Sequence, residues 1–470
     1  MKLKINTSSA KASGEVEEEP VSPEAQYLNS SALCVSNLVV FESEIPIDDS
    51  QAMLTLENLF LPINPRFSSI MVKDEHGNSK WRRVQVKLED HMNVPVFPSG
   101  LEFYDDYMQE YIEKIATERL PEDQPLWDTH IIKYPIKNAA GALVFKLHHS
   151  LGDGFSLMTA LFNCVQRADN PSLPLTFPSS GSTQARNWGV CRVVSNVFSM
   201  CVNTIKDFSW SLASSSMKDS TTPIRSGDSG IDDRRITLST VTFSLGDIKQ
   251  IKANLKGTVN DVITGIIFYG IQLYLQAAGQ ETKPAKVTAL VLLNTRAIRT
   301  YQPLKEMARR DSKVPWGNHF AFLHVSIPTN KDPENADPLH SIRRAKKIIK
   351  AKRNSLGVYL TAGILEIMRK FRGPEAVSSN IYKTLTNTSL TISNLIGPLE
   401  KLQIANHPCK SFYFMVARSP QSLTITVVSY MGTVRVAIGA EREFINSELL
   451  VSCMEKSFDR IFEAAVGHRT

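Results

Sequence analysis

The sequence predicts an α/β protein, an α+β sandwich folded as two domains that each carry helices on a sheet. Three observations lead there. The chain has 470 residues, against the about 100–200 typical of one domain. Strand and helix patterns alternate through both halves. A Pro- and Ser-rich stretch from about Asn170 to Arg235 separates the halves. Hydrophobic residues make up 42% and charged residues 21%, close to globular averages, which excludes a disordered, collagen-like or fibrous chain. A net charge of +6 over this length excludes a dedicated nucleic-acid binder, whose phosphate contacts need a concentrated basic face.

The elements follow in order. Residues 1–22 read as a solvated tail, acidic at Glu15 and Glu17–Glu19 and without the apolar core of a signal peptide. The first domain is expected over 23–175. Its strand Leu33–Phe41 is apolar and β-branched. A short helix over Met53–Leu61 is closed by Pro62 and Pro65, and Ser68–Lys73 and Trp81–Leu88 flank a His-Gly-Asn turn as a hairpin. Leu101–Arg119 is helical, Trp127–Tyr134 and Ala142–Leu147 are strands, and Gly154–Arg167 has helical spacing.

Residues 176–235 form the expected linker, with one amphipathic helix over Trp188–Leu212. Its apolar side runs Val190, Val193, Val194, Val197, Phe198, Cys201, Ile205, Phe208 and Leu212. Arg192, Lys206 and Asp207 interrupt it, so a membrane span, a membrane-surface helix and a packed helix all stay open. The second domain, 236–470, restarts with strand Ile236–Ser244 and helices Leu245–Ala253 and Val259–Ala278. Strands Val287–Asn294 and Phe320–Ile327 and the basic helix Pro338–Lys352 follow. Strands Leu390–Ser393, Phe412–Val416, Leu423–Ser429 and Thr433–Gly439 then precede the closing helix Ser447–Ala465.

Chemistry concentrates in His148-His149-Ser150-Leu151-Gly152-Asp153-Gly154. A histidine at a strand end is held in place and titrates near neutrality, which suits a general base. Asp153 opens the following helix, and Gly152 and Gly154 permit a tight turn. Adjacent strand residues point to opposite faces, so His148 and His149 do not converge on a metal ion. Six cysteines lack CxxC pairs and ligand spacing, so neither a zinc site nor a disulfide framework is expected.

HHSLGDG resembles the HHxxxDG motif of the CoA-dependent acyltransferase superfamily, shared with condensation domains of peptide synthetases. Pro125-Leu126-Trp127 resembles that family's PLW motif, and Asn260-Asp261-Val262 its ND-V motif. Ser393-Asn394-Leu395-Ile396-Gly397-Pro398 resembles SNVPGP, and Leu292–Arg296 with Trp316-Gly317-Asn318 fits the intervening pattern. The ordered set is similar to the plant bifunctional wax ester synthase/diacylglycerol acyltransferase family over nearly the whole chain after about residue 20. It departs at Leu395-Ile396, where the family has Val-Pro. The DFGWG motif of the plant BAHD acyltransferases is absent.

The resemblance implies two chloramphenicol acetyltransferase-like domains with an interdomain active-site tunnel. It implies transfer of an acyl group from acyl-CoA to a long-chain fatty alcohol or diacylglycerol, with acyl-CoA as co-substrate and no resident cofactor. His149 is then the base, with His148, Asp153 and Gly154 supporting it. Pro125, Leu126, Trp127, Asn260, Asp261, Ser393, Asn394 and Gly397 are candidate substrate-binding positions, Asn394 also a candidate oxyanion donor. Asp153 is expected to pair with an arginine, and Arg296, at the end of a buried strand, is the candidate. The expected place of work is the cytosolic side of the endoplasmic reticulum membrane, with the plasma membrane as an alternative. A non-catalytic lipid-binding protein of the same fold, or an acyltransferase for a soluble alcohol or amine, remains open from the sequence.

Overall fold

The computed structural model describes residues 18–75, 79–178, 204, 209, 217–279, 285–296, 315–328, 330, 332–353 and 355–467. The expected helix Trp188–Leu212 therefore lies outside the described residues, apart from Thr204 and Ser209, as does the His76-Gly77-Asn78 turn.

In the first part of the chain, strands β1 (Glu18–Pro20), β2 (Ser36–Ser43), β3 (Ser69–Lys73) and β4 (Ser79–Arg83) are followed by β5 (Met92–Asn93). Then come β6 (Trp127–Ile132), β7 (Gly141–His148) and β8 (Val165–Arg167). The helices among them are α1 (Pro23–Leu28), α2 (Asp49–Thr55), α3 (Asp105–Thr117) and α4 (Gly154–Asn163). The second part holds β9 (Ile236–Ser244), α5 (Leu245–Asn254), α6 (Val259–Ala277), β10 (Thr288–Asn294) and β11 (Phe320–Ser326). After these come α7 (Leu339–Arg353), α8 (Gly357–Arg372), α9 (Pro374–Asn387) and β12 (Leu390–Ile396). The chain closes with β13 (Leu402–Ile404), β14 (His407–Ala417), β15 (Leu423–Tyr430), β16 (Thr433–Glu441) and α10 (Ser447–Val466).

Two large sheets organise the molecule. The first runs β5-β6-β7-β2-β14-β13-β8 and the second β11-β10-β12-β15-β16-β9; β1-β4-β3 makes a small third sheet. Both large sheets are mixed: β12 lies parallel to β10 and β15, β5 lies parallel to β6, and the other neighbours are antiparallel. Each sheet has its own apolar core.

Four sequence expectations need correction. The domain division at 236 does not follow the sheets, because β13 and β14 enter the first sheet, β14 pairing β2 from Cys409↔Ser43 to Ala417↔Ser36. All of β2 is buried, so its second edge needs a backbone partner; the partner comes from the far end of the chain. The tail ends earlier than expected: Glu18–Pro20 pairs with β4, Glu19 reaches Arg66, and Ser22 caps α1. The linker's described stretch from 217 to 235 is packed. Buried Asp219 accepts from the Thr288 backbone N–H (2.5 Å), the Thr288 hydroxyl (2.9 Å) and the Ser389 hydroxyl (2.7 Å). Finally, the helix after the His pair stops at Asn163, and Val165–Arg167 becomes a strand on β13.

An ion pair and a hydrogen bond to the backbone cross between the two sheets' domains. Arg435 of β16 makes a bidentate contact with Glu42 of β2 at 2.7 and 3.0 Å. Glu113 of α3 accepts from the Leu238 backbone N–H at 2.9 Å.

Candidate active site

The site forms where β7 ends. The sheet holds this end by two backbone bonds: His148 N–H donates to Leu126 O (3.0 Å) and His149 N–H to Val35 O (2.9 Å). The side chains of His148 and His149 then part, as alternation requires, and both are buried.

His148 serves the turn. Its Nδ1 accepts from the Ser150 backbone N–H (3.2 Å) and lies 2.7 Å from the Ser150 hydroxyl. The accepting Nδ1 leaves the proton of the neutral ring on Nε2, which faces Cys34 Sγ at 3.4 Å. Burial, then His149 and Lys146, lowers its pKa to about 3.

His149 is placed differently. Asn318 Nδ2 donates to the His149 carbonyl at 2.9 Å, which fixes the orientation of that amide. Asn318 Oδ1 therefore faces His149 Nδ1, at 2.9 Å. An amide oxygen only accepts, so Nδ1 carries the proton and Nε2 keeps its lone pair. Burial pulls the pKa of His149 below the ordinary value, while Asp153 and the Asn318 bond work against that pull. The ring is thus a neutral imidazole with a defined tautomer, next to Phe320 at 5.3 Å between centroids.

Asp153 faces away from this chemistry. It caps α4, accepting from Ser156 N–H at 2.9 Å, and accepts from His319 N–H at 2.8 Å. Arg296, just past β10, contacts both its oxygens, Nη1 to Oδ2 at 2.6 Å and Nη2 to Oδ1 at 3.2 Å. The guanidinium also donates to Ser156 Oγ (2.9 Å), Gly317 O (2.8 Å) and Pro315 O (3.0 Å). Both side chains are buried. Trp316 Nε1 donates to Leu151 O at 2.8 Å. Residues 315–319 of the second domain are thereby fastened to the His turn of the first, and Asn318 is carried to His149.

The other expected positions are distributed more widely. Trp127 is wholly buried, stacked on His91 at 4.3 Å and edge-on to Phe60, with Nε1 donating to Phe67 O. Pro125 and Leu126 are buried beside it. This triplet supports the His strand from within the core; a side chain sealed on all sides presents no wall to a substrate. Asp261 accepts from Thr258 N–H in a capping box that starts α6, so its carboxylate is committed to the helix terminus. Ser393 is buried in β12. Gly397 is required by packing, since a Cβ there would lie 2.0 Å from Ser429 O.

Asn394 Nδ2 does donate to Asn260 Oδ1 at 2.8 Å, joining two of the expected residues at the end of β12. The next residue, Leu395, lies 3.6 Å from where a Gly154 Cβ would stand, so this strand end meets the start of α4. Gly152 is the tighter glycine of the turn: its Cβ would stand 2.9 Å from Ser156 Cβ.

Sequence reasoning missed the roles of Asn318 and Ser156. Ser156 sits three residues after a helix-capping Asp, and that spacing was a usable local signal. Asn318 stood out only as part of the Trp316-Gly317-Asn318 pattern; its role was not legible, because its partner is 169 residues away. Among the described residues, no group of three or more His, Cys, Asp or Glu is arranged to hold a metal ion.

Residues 35–263 match the family described as wax ester synthase/diacylglycerol acyltransferase catalytic domain, and residues 316–462 match the WS/DGAT C-terminal domain. Wax ester synthase/diacylglycerol acyltransferase 4 of Arabidopsis thaliana is 30% identical, covering 96% of this chain and 91% of the relative. Number 6 of that set is 30% identical over 96% of this chain and 94% of its own length. The wax ester synthase/diacylglycerol acyltransferase from Marinobacter aquaeolei superposes with a TM-score of 0.58 at 16% identity, covering 94% of this chain and 98% of that one. The first condensation domain of the calcium-dependent antibiotic synthetase gives 0.55 at 12% identity, covering 95% of each chain. These two structural likenesses show a shared two-domain fold.

Proposed function

Since the chain belongs to the wax ester synthase/diacylglycerol acyltransferase family and is an acyltransferase, we propose that His149 is its general base and that fatty acyl-CoA donates to a long-chain alcohol or diacylglycerol. The observation that carries the assignment is the reciprocal His149–Asn318 pair. It leaves Nε2 unprotonated and keeps the ring from turning.

The step follows from that lone pair. Nε2 takes the proton of the acceptor hydroxyl as its oxygen bonds to the thioester carbonyl carbon. The tetrahedral intermediate collapses with cleavage of the C–S bond, and the leaving CoA sulfur receives the proton from the imidazolium. The ester and free CoA thiol are the products, and no acyl-enzyme is required. Such base catalysis contributes roughly 10²–10⁴-fold, and holding donor and acceptor together contributes further. Asn318 Oδ1 and the nearby Asp153 carboxylate favour the transient imidazolium.

Asp153, Arg296, Ser156 and residues 315–319 position the base, and His148 holds the turn. Asn394 and Asn260 are the candidates for contact with the reacting carbonyl. Acyl-CoA is dissolved in water while both acceptors reside in lipid, so the reading places catalysis at a membrane surface, on the cytosolic side of the endoplasmic reticulum.

The test offers purified protein palmitoyl-CoA with hexadecanol and with diacylglycerol in parallel, following free thiol and ester products. His149→Ala is expected to retain less than about one part in 10² of the wild-type rate while keeping its fold. Turnover above that level removes His149 from the role.

A further inference from the structure

Helix α8 has an outer face that a water-exposed helix does not need. A surface helix normally turns its apolar side to the core and its polar side outward. Here Leu365 and Met368 point toward the body, partly buried, yet a second apolar row is exposed. From the N-cap it runs Leu356, Leu360, Ile364, Ile367 and Phe371, at 45%, 46%, 37%, 59% and 82% exposure. The steps of four, four, three and four place all five within an arc of about 80°. They form one ridge along the helix, and an exposed contiguous apolar surface of this kind marks a contact.

The charge carried by this helix and by the helix before it in sequence says what kind. Between Leu339 and Arg372 the sequence has ten Lys and Arg against a single Glu, nine positive charges net in a chain whose total is +6. On α7, Arg343, Arg344, Lys347 and Lys350 are exposed. On α8, Lys370 and Arg372 are exposed, while Glu366 is paired with Arg369. A second copy of this chain would bring the same positive field against itself, which disfavours a symmetric contact. A nucleic acid would leave the aliphatic ridge unused. An anionic lipid surface satisfies both features, the ridge entering the acyl boundary and the cations meeting headgroups. The 16 residues of α8 extend about 24 Å, short of the about 30 Å hydrocarbon layer, and no described helix is long and apolar enough to cross a membrane. The helix suits a position in the plane of the surface.

We propose that α8, with the basic face of α7, is a membrane-docking element that seats the enzyme on anionic bilayers. Its purpose rests on the lipid-acceptor reading above; its geometry does not. Thr204 Oγ1 accepts from the Leu356 backbone N–H at 2.9 Å, so Thr204 touches the N-terminal end of this ridge.

The proposal is tested by flotation with vesicles of phosphatidylcholine alone and of phosphatidylcholine with phosphatidylserine. Wild-type protein should float with the second and bind the first more weakly, and added salt should weaken binding to the anionic vesicles. Ile367→Asp and Phe371→Asp, both at exposed positions, should each lower the bound-to-free ratio at least about tenfold, the scale of withdrawing one large apolar side chain from lipid. Lys347→Glu with Lys350→Glu should weaken binding to the anionic vesicles alone. Thermal melting and thiol release with a short-chain, water-soluble acceptor should be unchanged in all of them. His149→Ala should float like wild type, which separates this proposal from the catalytic one. Wild-type protein that binds neither vesicle, aspartate variants that bind unchanged, or a ridge substitution whose effect is conversion of a dimer to a monomer in light scattering would each overturn it.

Discussion

Removing Arg296 tests whether the contact between domains is what holds the catalytic turn. Arg296→Met keeps much of the side-chain volume and deletes the charge. Asp153 then retains only its bonds from Ser156 N–H and His319 N–H. Its carboxylate stays buried without the cation 2.6 Å away, and Gly317 O and Pro315 O each lose a donor. Removing one member of a buried pair costs about 3–5 kcal/mol. At about 2–4 °C per kcal/mol for a mid-sized domain, the apparent melting temperature should fall by about 6–20 °C. Asp153→Asn should cost less, because the amide oxygen can still cap α4, but it strands the guanidinium. In the double variant no isolated charge remains, so the combined loss should fall short of the two single losses together. The assay is denaturant or thermal unfolding of all four proteins, read beside kcat and KM. Residues 315–319 carry Asn318, so Arg296→Met should also lower kcat more than it raises KM. Losses that add within about 0.5 kcal/mol, or full kcat in Arg296→Met, would refute the reasoning.

Asn318→Ala should lower kcat by about 10–100-fold with little change in KM, and Asn318→Asp should move the acid limb of the kcat/KM profile to higher pH, since a carboxylate favours the imidazolium. In wild type that limb should lie below the usual histidine value of about 6.5, because burial lowers the pKa of His149. The same sign governs stability. His148 is held neutral down to a pKa of about 3, so the unfolded chain takes up a proton that the native one refuses; stability should fall with pH below about 6.5 by about 1.4 kcal/mol per unit from this group, and His148→Asn should remove that slope in urea titrations. Two glycines should behave oppositely in melting experiments: Gly397→Ala drives a Cβ to 2.0 Å from Ser429 O and should destabilise by at least about 1–3 kcal/mol, whereas Gly154→Ala meets Leu395 at an ordinary 3.6 Å and should be neutral or slightly stabilising.

The sequence by itself determined the elements that have a single dominant period or a sharp local signal. Strand β9 begins and ends where its pattern does, α6 opens on its Thr-Val-Asn-Asp capping residues, and the strand–turn–helix around His149 follows from its composition. These are local matters, set by neighbours within a few residues. The motif order also identified the family, and spacing with resemblance brought forward His149, Asp153 and Arg296. The apolar residues of helix α8 follow one helical period, but a period does not say whether the face it marks meets the core or the outside; only the folded chain shows that row exposed. Tertiary structure alone decided the rest. Strand β14 keeps its sequence neighbour β13 on one edge, while its other edge pairs with β2 from the start of the chain, which no local pattern announces. The sequence left Trp127 open between core packing and substrate contact, because nothing local distinguishes the two; the fold buries it against His91. The proton on His149 Nδ1 depends on an amide 169 residues away, brought there by a guanidinium that must satisfy Asp153, Ser156 and two backbone carbonyls at once. A residue's chemistry is written in its side chain, but its tautomer and its access to substrate belong to neighbours that only the folded chain supplies.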